Sequence, residues 1–420
     1  MAILTSGTGL GILDTRIEHS ILIPRHMITI GAASLSSPVE WRLPPSKSHL
    51  IRWLAIASQS GQETILSFDG EPGADAVSMS KCIGAMGSEV SGHEDGWSVR
   101  GVTEASMHPV ALQCGNSGTT ANFLTAITAC LEGTATLDGD SSLRSRHSAE
   151  LCSTLEQMGC SIDSERLPRQ VSGGILCYDV EHDWSRTSQG LSALMVASPG
   201  FSEELRVSLL GESVSSGYWM LTKEICVSCG SKMVIRDGYA ILPPWEVEVP
   251  ERVEIPVEES LQPIAMLLSR LPGVKFETGF VDTGIGINET IRAIEDGEGD
   301  VDLGEASDII SPVAAIMAIG DGGRIRGIAH TRGKESDRIS KTVEVLNCFD
   351  LSLQEIGDEL HIPGGQRPRK PKSPVETHSD HRLAMTAMAL ASKCGGVVCE
   401  PEICSVSDPG FIPRLLGLGD

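Results

Sequence analysis

Basic side chains are in short supply: 33 Lys and Arg stand against 56 Asp and Glu, leaving a net charge of −23 over 420 residues. A surface so charged repels other polyanions at long range, which excludes nucleic acid and anionic membrane as main partners. Long apolar runs are missing as well. None reaches the roughly 18 residues of a membrane-spanning helix, so no membrane association is expected. The opening residues lack a basic stretch followed by an apolar one and a cleavage site, and residues before Met27 show no recognisable element, so translation could begin at Met27. The 12 cysteines have no disulfide-scaffold spacing, and reduced thiols in the cytoplasm are the expectation. Cys226 and Cys229 form one CxxC, with no second CxxC or HxxxH to complete a zinc site, so no metal is expected. The GxxxxGK[ST] spacing of a nucleotide-binding loop is absent too.

What is present is a globular composition, 40% apolar and 21% charged, on a chain long enough for two or more domains. The chain also repeats itself. A Ser with polar neighbours precedes an apolar run, mostly Ala-rich, at Ser46, Ser117, Ser188, Ser260, Ser307 and Ser379, and these positions are 71, 71, 72, 47 and 72 residues apart. Each Ser is read as a helix N-cap, its hydroxyl accepting from a first-turn N–H. Pro263 and Pro312 fall early in their runs, where proline is tolerated. The runs are apolar nearly all round, as in helices buried on every side. Alternating stretches such as TATLDGD, LRVSLLG, KMVIRDG and LHIPGG read as strands. The pattern predicts an α/β repeat fold with buried helices and sheets outside, whose helix starts could converge on one anion-binding cleft.

Cations recur where a helix dipole disfavours them. Lys47 and Arg52 follow Ser46. TRGKESDR, from Thr331 to Arg338, puts Lys334 and Arg338 at the start of a helix read from about Ser336. Arg382 sits at the sixth start and Arg146 lies in SLRSRHS. An anion docking at these points turns each cost into an attraction. Arg332 and Asp337 read as surface charges, and the basic loop GGQRPRKPKSP as solvated. Asp308 carries a carboxylate into an apolar segment, a position that favours a raised pKa and a general-base role. CGNSGTT, with Gly118, is a small-residue turn that lets backbone N–H groups approach a ligand.

Seven motifs taken together, PPSKSHLIR, CGNSGTT, SLRSRHS, TSQGLSALM, ASDIISPVAA, HTRGKESDR and SDHRLAM, resemble the 3-phosphoshikimate 1-carboxyvinyltransferase family, also called 5-enolpyruvylshikimate-3-phosphate synthases, in order and spacing from about Pro45 onward. The resemblance implies two inside-out α/β barrel domains, each of three βαβαββ units, with residues 46–250 inserted between residues 1–45 and 251–420 and the active site in the cleft. It implies transfer of the enolpyruvyl group of phosphoenolpyruvate to the 5-hydroxyl of shikimate 3-phosphate with release of phosphate, in the pathway to chorismate and the aromatic amino acids. By position, Lys47, Ser48, Arg52, Thr187, Ser188, Gln189, Ser215, Asp308, His330 and Lys334 would bind shikimate 3-phosphate, with Tyr218 nearby. Lys47, Gly118, Arg146, Gln189, Arg338 and Arg382 would bind phosphoenolpyruvate. Asp308, Glu335 and Lys47 would be catalytic, Asp308 taking the hydroxyl proton and Glu335 protonating the methylene carbon. No metal or organic cofactor is implied, and a monomer is expected.

This sequence departs from the family at two cationic positions, where it has Asn122 and Val406, and weaker phosphoenolpyruvate binding is the expectation. Two competing readings share the fold. A UDP-N-acetylglucosamine enolpyruvyltransferase is disfavoured because PSKS and KESDR belong to the shikimate branch. A binding protein without turnover is disfavoured because Lys47, Asp308 and Glu335 are all retained.

Overall fold

The fold was analysed in a computed structural model, which describes residues 26–32, 39–102, 110–271, 276–277 and 287–417. The segment before Met27 lies almost wholly outside the described residues, as does part of the short repeat interval between Ser260 and Ser307.

The architecture is mixed α/β. Four four-stranded sheets follow one pattern, with strand order Arg252–Glu254, Thr64–Ser67, Gly96–Arg100, Glu89–His93 in the first. The second runs Val110–Gln113, Thr134–Asp138, Arg169–Ser172, Ser161–Ile162. The third runs Asp179–Asp183, Leu205–Leu210, Tyr239–Leu242, Val234–Arg236, and the fourth Asp300–Asp302, Gly322–Arg326, Glu359–Pro363, Gln354–Ile356. In each, the first pair is parallel and the other two are antiparallel. A parallel pair needs a crossover. In the last three sheets it is one of the apolar runs: helix Gly118–Ala129, Gln189–Ala197 or Ile310–Ile319. In the first sheet the parallel partner, Arg252–Glu254, comes from a distant part of the chain.

Two small sheets complete the set among the described residues. Met27–Ile30 pairs antiparallel with Gly396–Cys399, and Val39–Glu40 pairs parallel with Phe276–Glu277. Beside the first sheet the chain crosses twice, side by side. Ser46 donates its N–H to Pro256 O (2.8 Å), Glu258 donates to Pro44 O (2.8 Å), and Pro45 bridges Val257.

The apolar runs form helices enclosed on all sides, as their composition predicts. Leu191, Ala193, Leu194, Met195 and Val196 are fully buried in one, and Ile310, Val313, Ala314, Ala315 and Ile316 in another. The helices Lys47–Ala57 and His381–Cys394 are equally enclosed. Cys226 and Cys229 belong to this core as thiols, and burial pushes Cys229 up to about 11. Among the described residues no group of three or more His, Cys, Asp or Glu could hold a metal ion, and no helix is long and apolar enough to cross a membrane.

The six serines do not all cap. Ser46 accepts from His49 N and Ser117 from Thr120 N. At the third start Thr187 Oγ1 takes the Gln189 N–H (3.2 Å), which relieves Ser188 of the role. Ser260 and Ser307 lie in 3-10 turns ahead of their helices, where their hydroxyls accept from Arg382 and Lys334 instead. At the sixth start Asp380 caps, and Ser379 stands one residue earlier in the left-handed region, at φ 53°. A nearby cation, or a better acceptor one residue away, outcompetes the local N–H.

Candidate active site

The helix read from about Ser336 begins at Arg338, because Asp337 caps it by accepting from Ser340 N. This frees Ser336 and Glu335 from helical geometry and places Arg338 in the first turn, 3% exposed. From there its guanidinium reaches three carboxylates. Nη1 donates to Asp308 Oδ1 (2.6 Å), Nε to Asp380 Oδ2 (2.9 Å) and Nη2 to Glu335 Oε2. Asp308 also accepts from Lys334 Nζ (2.8 Å) and from the Tyr218 hydroxyl (2.9 Å). Arg146 Nη1 lies 3.7 Å from Glu335 Oε1.

Burial alone would raise the pKa of Asp308, but Lys334 and Arg338 outweigh it and hold the carboxyl well below its ordinary range. The expected raised pKa is thus corrected: the apolar segment supplies the desolvation, and cations from a segment about thirty residues downstream supply a larger opposing field. Glu335 behaves alike. Burial raises it, Arg338 and Arg146 lower it further, and it stands as a carboxylate.

The remaining cations have fewer counter-charges. Arg52, 3% exposed, donates to Thr222 Oγ1 (2.8 Å), Ser48 O (2.9 Å) and Tyr218 O (3.0 Å) and lies over the Phe123 and Tyr218 rings, and among the described residues no carboxylate pairs with it directly. Burial pulls it down to about 10. Arg382 donates to Ser260 O (2.8 Å) and Ser260 Oγ. Arg146 is steadied by Asn116 Oδ1 (2.8 Å) and Ser142 Oγ (3.0 Å). Lys47 is balanced by Asp75, with Nζ 3.0 Å from Oδ2.

The cations, together with Asp75, Tyr218, Asp308 and Glu335, face one cavity of about 470 Å³. Every site residue named from the sequence lines it: Lys47, Ser48, Arg52, Gly118, Arg146, Thr187, Ser188, Gln189, Ser215, Asp308, His330, Lys334, Glu335, Arg338 and Arg382. His330 is neutral, lowered by burial and Lys334 to about 4. Ser215 stands in the left-handed region, at φ 52°, a strained conformation of a kind found at functional sites. A methyl group on Gly118 would meet Gln189 Oε1 at 3.5 Å and Arg146 Nη1 at 3.7 Å, so the glycine keeps open the wall between them. Asn122 donates to Gln189 Oε1 (2.7 Å) and thereby orients that amide. Val406 is buried, its carbonyl packed against Gly73. Neither supplies a cation. Arg332 and Asp337, read as surface charges, are corrected: Arg332 is part-buried and lines the same cavity, with its guanidinium held by Asp337, Glu355 and Asp358, and Asp337 is the helix cap.

Asp75, Thr222 and Glu258 escape sequence reasoning. Their partners Lys47 and Arg52 are 28 to 211 residues away in sequence, and no local pattern announces them. The one available signal is VEES, which puts Glu258 and Glu259, each 1% exposed, ahead of an apolar helix.

A cavity in which cations outnumber carboxylates, and in which both candidate acid–base groups are already charged, is built for polyanionic substrates. The fold agrees: it is that of the enolpyruvyl transferases. An EPSP synthase from Acinetobacter baumannii superposes with a TM-score of 0.72 over 94% of this chain and 98% of that one, at 18% identity. The enolpyruvyl transferase NikO from Streptomyces tendae does so with a TM-score of 0.71 over 94% and 97%, at 11% identity.

Sequence similarity narrows the class. The model of the EPSP synthase (3-phosphoshikimate 1-carboxyvinyltransferase) family matches residues 31–235 and 285–415. A 3-phosphoshikimate 1-carboxyvinyltransferase of Korarchaeum cryptofilum is 30% identical over 418 residues, covering 90% of this chain and 95% of its own, and one of Methanocorpusculum labreanum is 29% identical with the same coverage. The chain belongs to the EPSP synthase family.

Proposed function

We propose that this cavity carries out the family's reaction, joining the enolpyruvyl group of phosphoenolpyruvate to the 5-hydroxyl of shikimate 3-phosphate and releasing inorganic phosphate. The observation that carries the reading is the contact of Arg338 with both Asp308 and Glu335 in a cavity otherwise rich in cations. Lys47, Ser48, Arg52, Thr187, Ser188, Gln189, Ser215, His330 and Lys334 hold shikimate 3-phosphate. Lys47, Gly118, Arg146, Gln189, Arg338 and Arg382 hold phosphoenolpyruvate.

Asp308 takes the proton of the 5-hydroxyl as that oxygen bonds to C2 of phosphoenolpyruvate, while Glu335 gives a proton to C3. Glu335 must first acquire that proton. The anionic groups of phosphoenolpyruvate draw Arg146 and Arg338 toward themselves, which removes the charges that keep Glu335 ionised. Collapse of the tetrahedral intermediate breaks the C2–O bond to phosphate, which leaves with the proton taken up by Asp308, and returns the C3 proton to Glu335. Lys47, Arg146 and Arg338 stabilise the anionic charge throughout.

The finer architecture belongs to the same proposal: six βαβαββ units in two inside-out barrel domains, with the cavity in the cleft. Three of the four-stranded sheets fall between residues 64 and 254, and the fourth and the two small sheets are built from the chain on either side. Because Arg252–Glu254 completes the first sheet, the inserted domain extends slightly beyond residue 250, and the paired crossings at residues 44–46 and 256–258 form the hinge. A cytoplasmic monomer is part of this reading.

Phosphate release on mixing shikimate 3-phosphate and phosphoenolpyruvate is the test. Turnover is expected with that pair and not with UDP-N-acetylglucosamine as acceptor. Release with neither acceptor, or only with the nucleotide sugar, would overturn the proposal.

A further inference from the structure

Glu258 is 1% exposed, and among the described residues its carboxylate is hydrogen-bonded by neutral donors. Oε2 accepts the Lys47 N–H (3.0 Å), and Oε1 accepts the Ser260 hydroxyl (2.5 Å). Ser260 Oγ in turn accepts from Arg382 Nη2, while Ser260 O accepts from Arg382 Nη1 (2.8 Å). The donors fix the direction of this chain. A guanidinium can only donate, so Ser260 must accept from Arg382 and use its single proton on Glu258. A backbone N–H can only donate, so the other Glu258 oxygen must accept from Lys47. The position therefore requires two acceptors 211 and 2 residues away from their donors, and only a carboxylate offers both.

Its location gives the arrangement a purpose. Glu258 ends one strand of the double crossing and donates its N–H to Pro44 O on the other, and Lys47 begins its helix directly after that other strand. Lys47 and Arg382 are thus linked through one buried carboxylate beside the crossing.

We propose that Glu258 is a positioning residue that sets the separation of Lys47 and Arg382 across the phosphoenolpyruvate pocket, with Ser260 as its relay to the guanidinium. This rests on the assignment of those two cations to phosphoenolpyruvate made above. Substrate contacts Lys47 and Arg382, not Glu258; because Lys47 serves both substrates and Arg382 serves phosphoenolpyruvate alone, the loss falls more heavily on phosphoenolpyruvate than on shikimate 3-phosphate, which keeps Ser48, Arg52, Ser188 and Lys334.

The experiment uses Glu258→Gln, Ser260→Ala and the double variant. A Gln must turn its amide nitrogen either to the Lys47 N–H, where donor meets donor, or to Ser260, whose hydroxyl proton then has no acceptor. Each single variant is expected to raise KM for phosphoenolpyruvate about tenfold, the scale of one hydrogen bond to a charged group. Calorimetric affinity for shikimate 3-phosphate alone should stay within about threefold. The double variant should be no worse than Glu258→Gln, because both changes cut one relay. An unchanged KM for phosphoenolpyruvate, an equal loss of shikimate 3-phosphate affinity, or additive single effects would each overturn the proposal. If Glu258→Gln does not fold, Ser260→Ala decides by the same two readouts. The unaltered enzyme is assayed in parallel, so absence of its turnover counts against the reaction and not against Glu258. The relay is then judged by calorimetric binding of phosphoenolpyruvate in the presence of shikimate 3-phosphate.

Discussion

Arg338 and Glu335 illustrate how one contact can serve two purposes that substitution separates. Arg338 neutralises Asp380, which is fully buried, as well as the two reacting carboxylates. Lysine has a single ammonium in place of a planar fork and cannot hold all three. Arg338→Lys is therefore expected to lower stability by about 3 kcal/mol, as when a buried pair is broken, and to abolish turnover together with it. Glu335→Gln leaves Arg338 with Asp308 and Asp380, so its unfolding midpoint should stay near that of the parent while kcat falls by about 10² to 10⁴, the range of a lost acid–base group. Thermal unfolding and initial rates on the same samples check the contrast. A Glu335→Gln enzyme that turned over normally would end its role as proton donor. At this scale the sequence was informative about charged residues beside helix starts, since a cation in the wrong place on a dipole is visible without coordinates. Asp75 and Glu258 were missed because the contact of each with Lys47 is one that folding brings from far along the chain.

The repeating helix starts look interchangeable in the sequence and are not so in the structure. Their apolar runs are enclosed as the composition implies, because a helix without a polar stripe has no face to give to solvent. The caps differ because a serine oxygen accepts from the strongest donor within reach, which at Ser260 and Ser307 is a cation rather than a helix N–H. Ser117 still accepts from Thr120 N (3.2 Å), whereas at Ser379 the capping role has passed to Asp380. Removing a true cap costs about 1 kcal/mol. Ser117→Ala should thus lower the unfolding free energy by that amount and move the urea midpoint down accordingly, and Ser379→Ala should leave the midpoint unchanged within error. Equal shifts would mean that hydroxyl position, not capping, stabilises these starts. The strand pairings were legible only in part. TATLDGD and LRVSLLG alternate as strands should, but that Arg252–Glu254 would cross over to join Thr64–Ser67 depends on topology and not on alternation.

Over the whole molecule, acidity pulls stability in two directions. A net charge of −23 means that carboxylate repulsion eases as pH falls, yet several histidines are folded in as neutral groups. Burial lowers His49 to about 3 and His182 to about 4. His182 is 1% exposed, shares a hydrogen bond with Thr154 Oγ1 (2.9 Å) at Nδ1, and among the described residues leaves Nε2 without a hydrogen-bond partner. Its ring packs against Gly190, where any Cβ would collide with it, so the glycine of the Gln189 helix start and the neutral imidazole are fitted to each other. Because the folded pKa lies below the unfolded value of about 6.5, the unfolded chain binds the proton first. The histidine's contribution is complete above about pH 6.5 and declines as pH falls toward the folded pKa near 4. Each such group adds a slope of about 1.4 kcal/mol per pH unit within that window. His182→Gln should remove one such slope. Denaturation free energies at pH 7, 6 and 5 are expected to fall less steeply for the variant, by about that amount per unit, even if the variant is less stable at pH 7. Parallel slopes would show that His182 is protonated in the fold, and would shift the source of acid sensitivity to the carboxylates that Arg338 and Lys334 hold ionised.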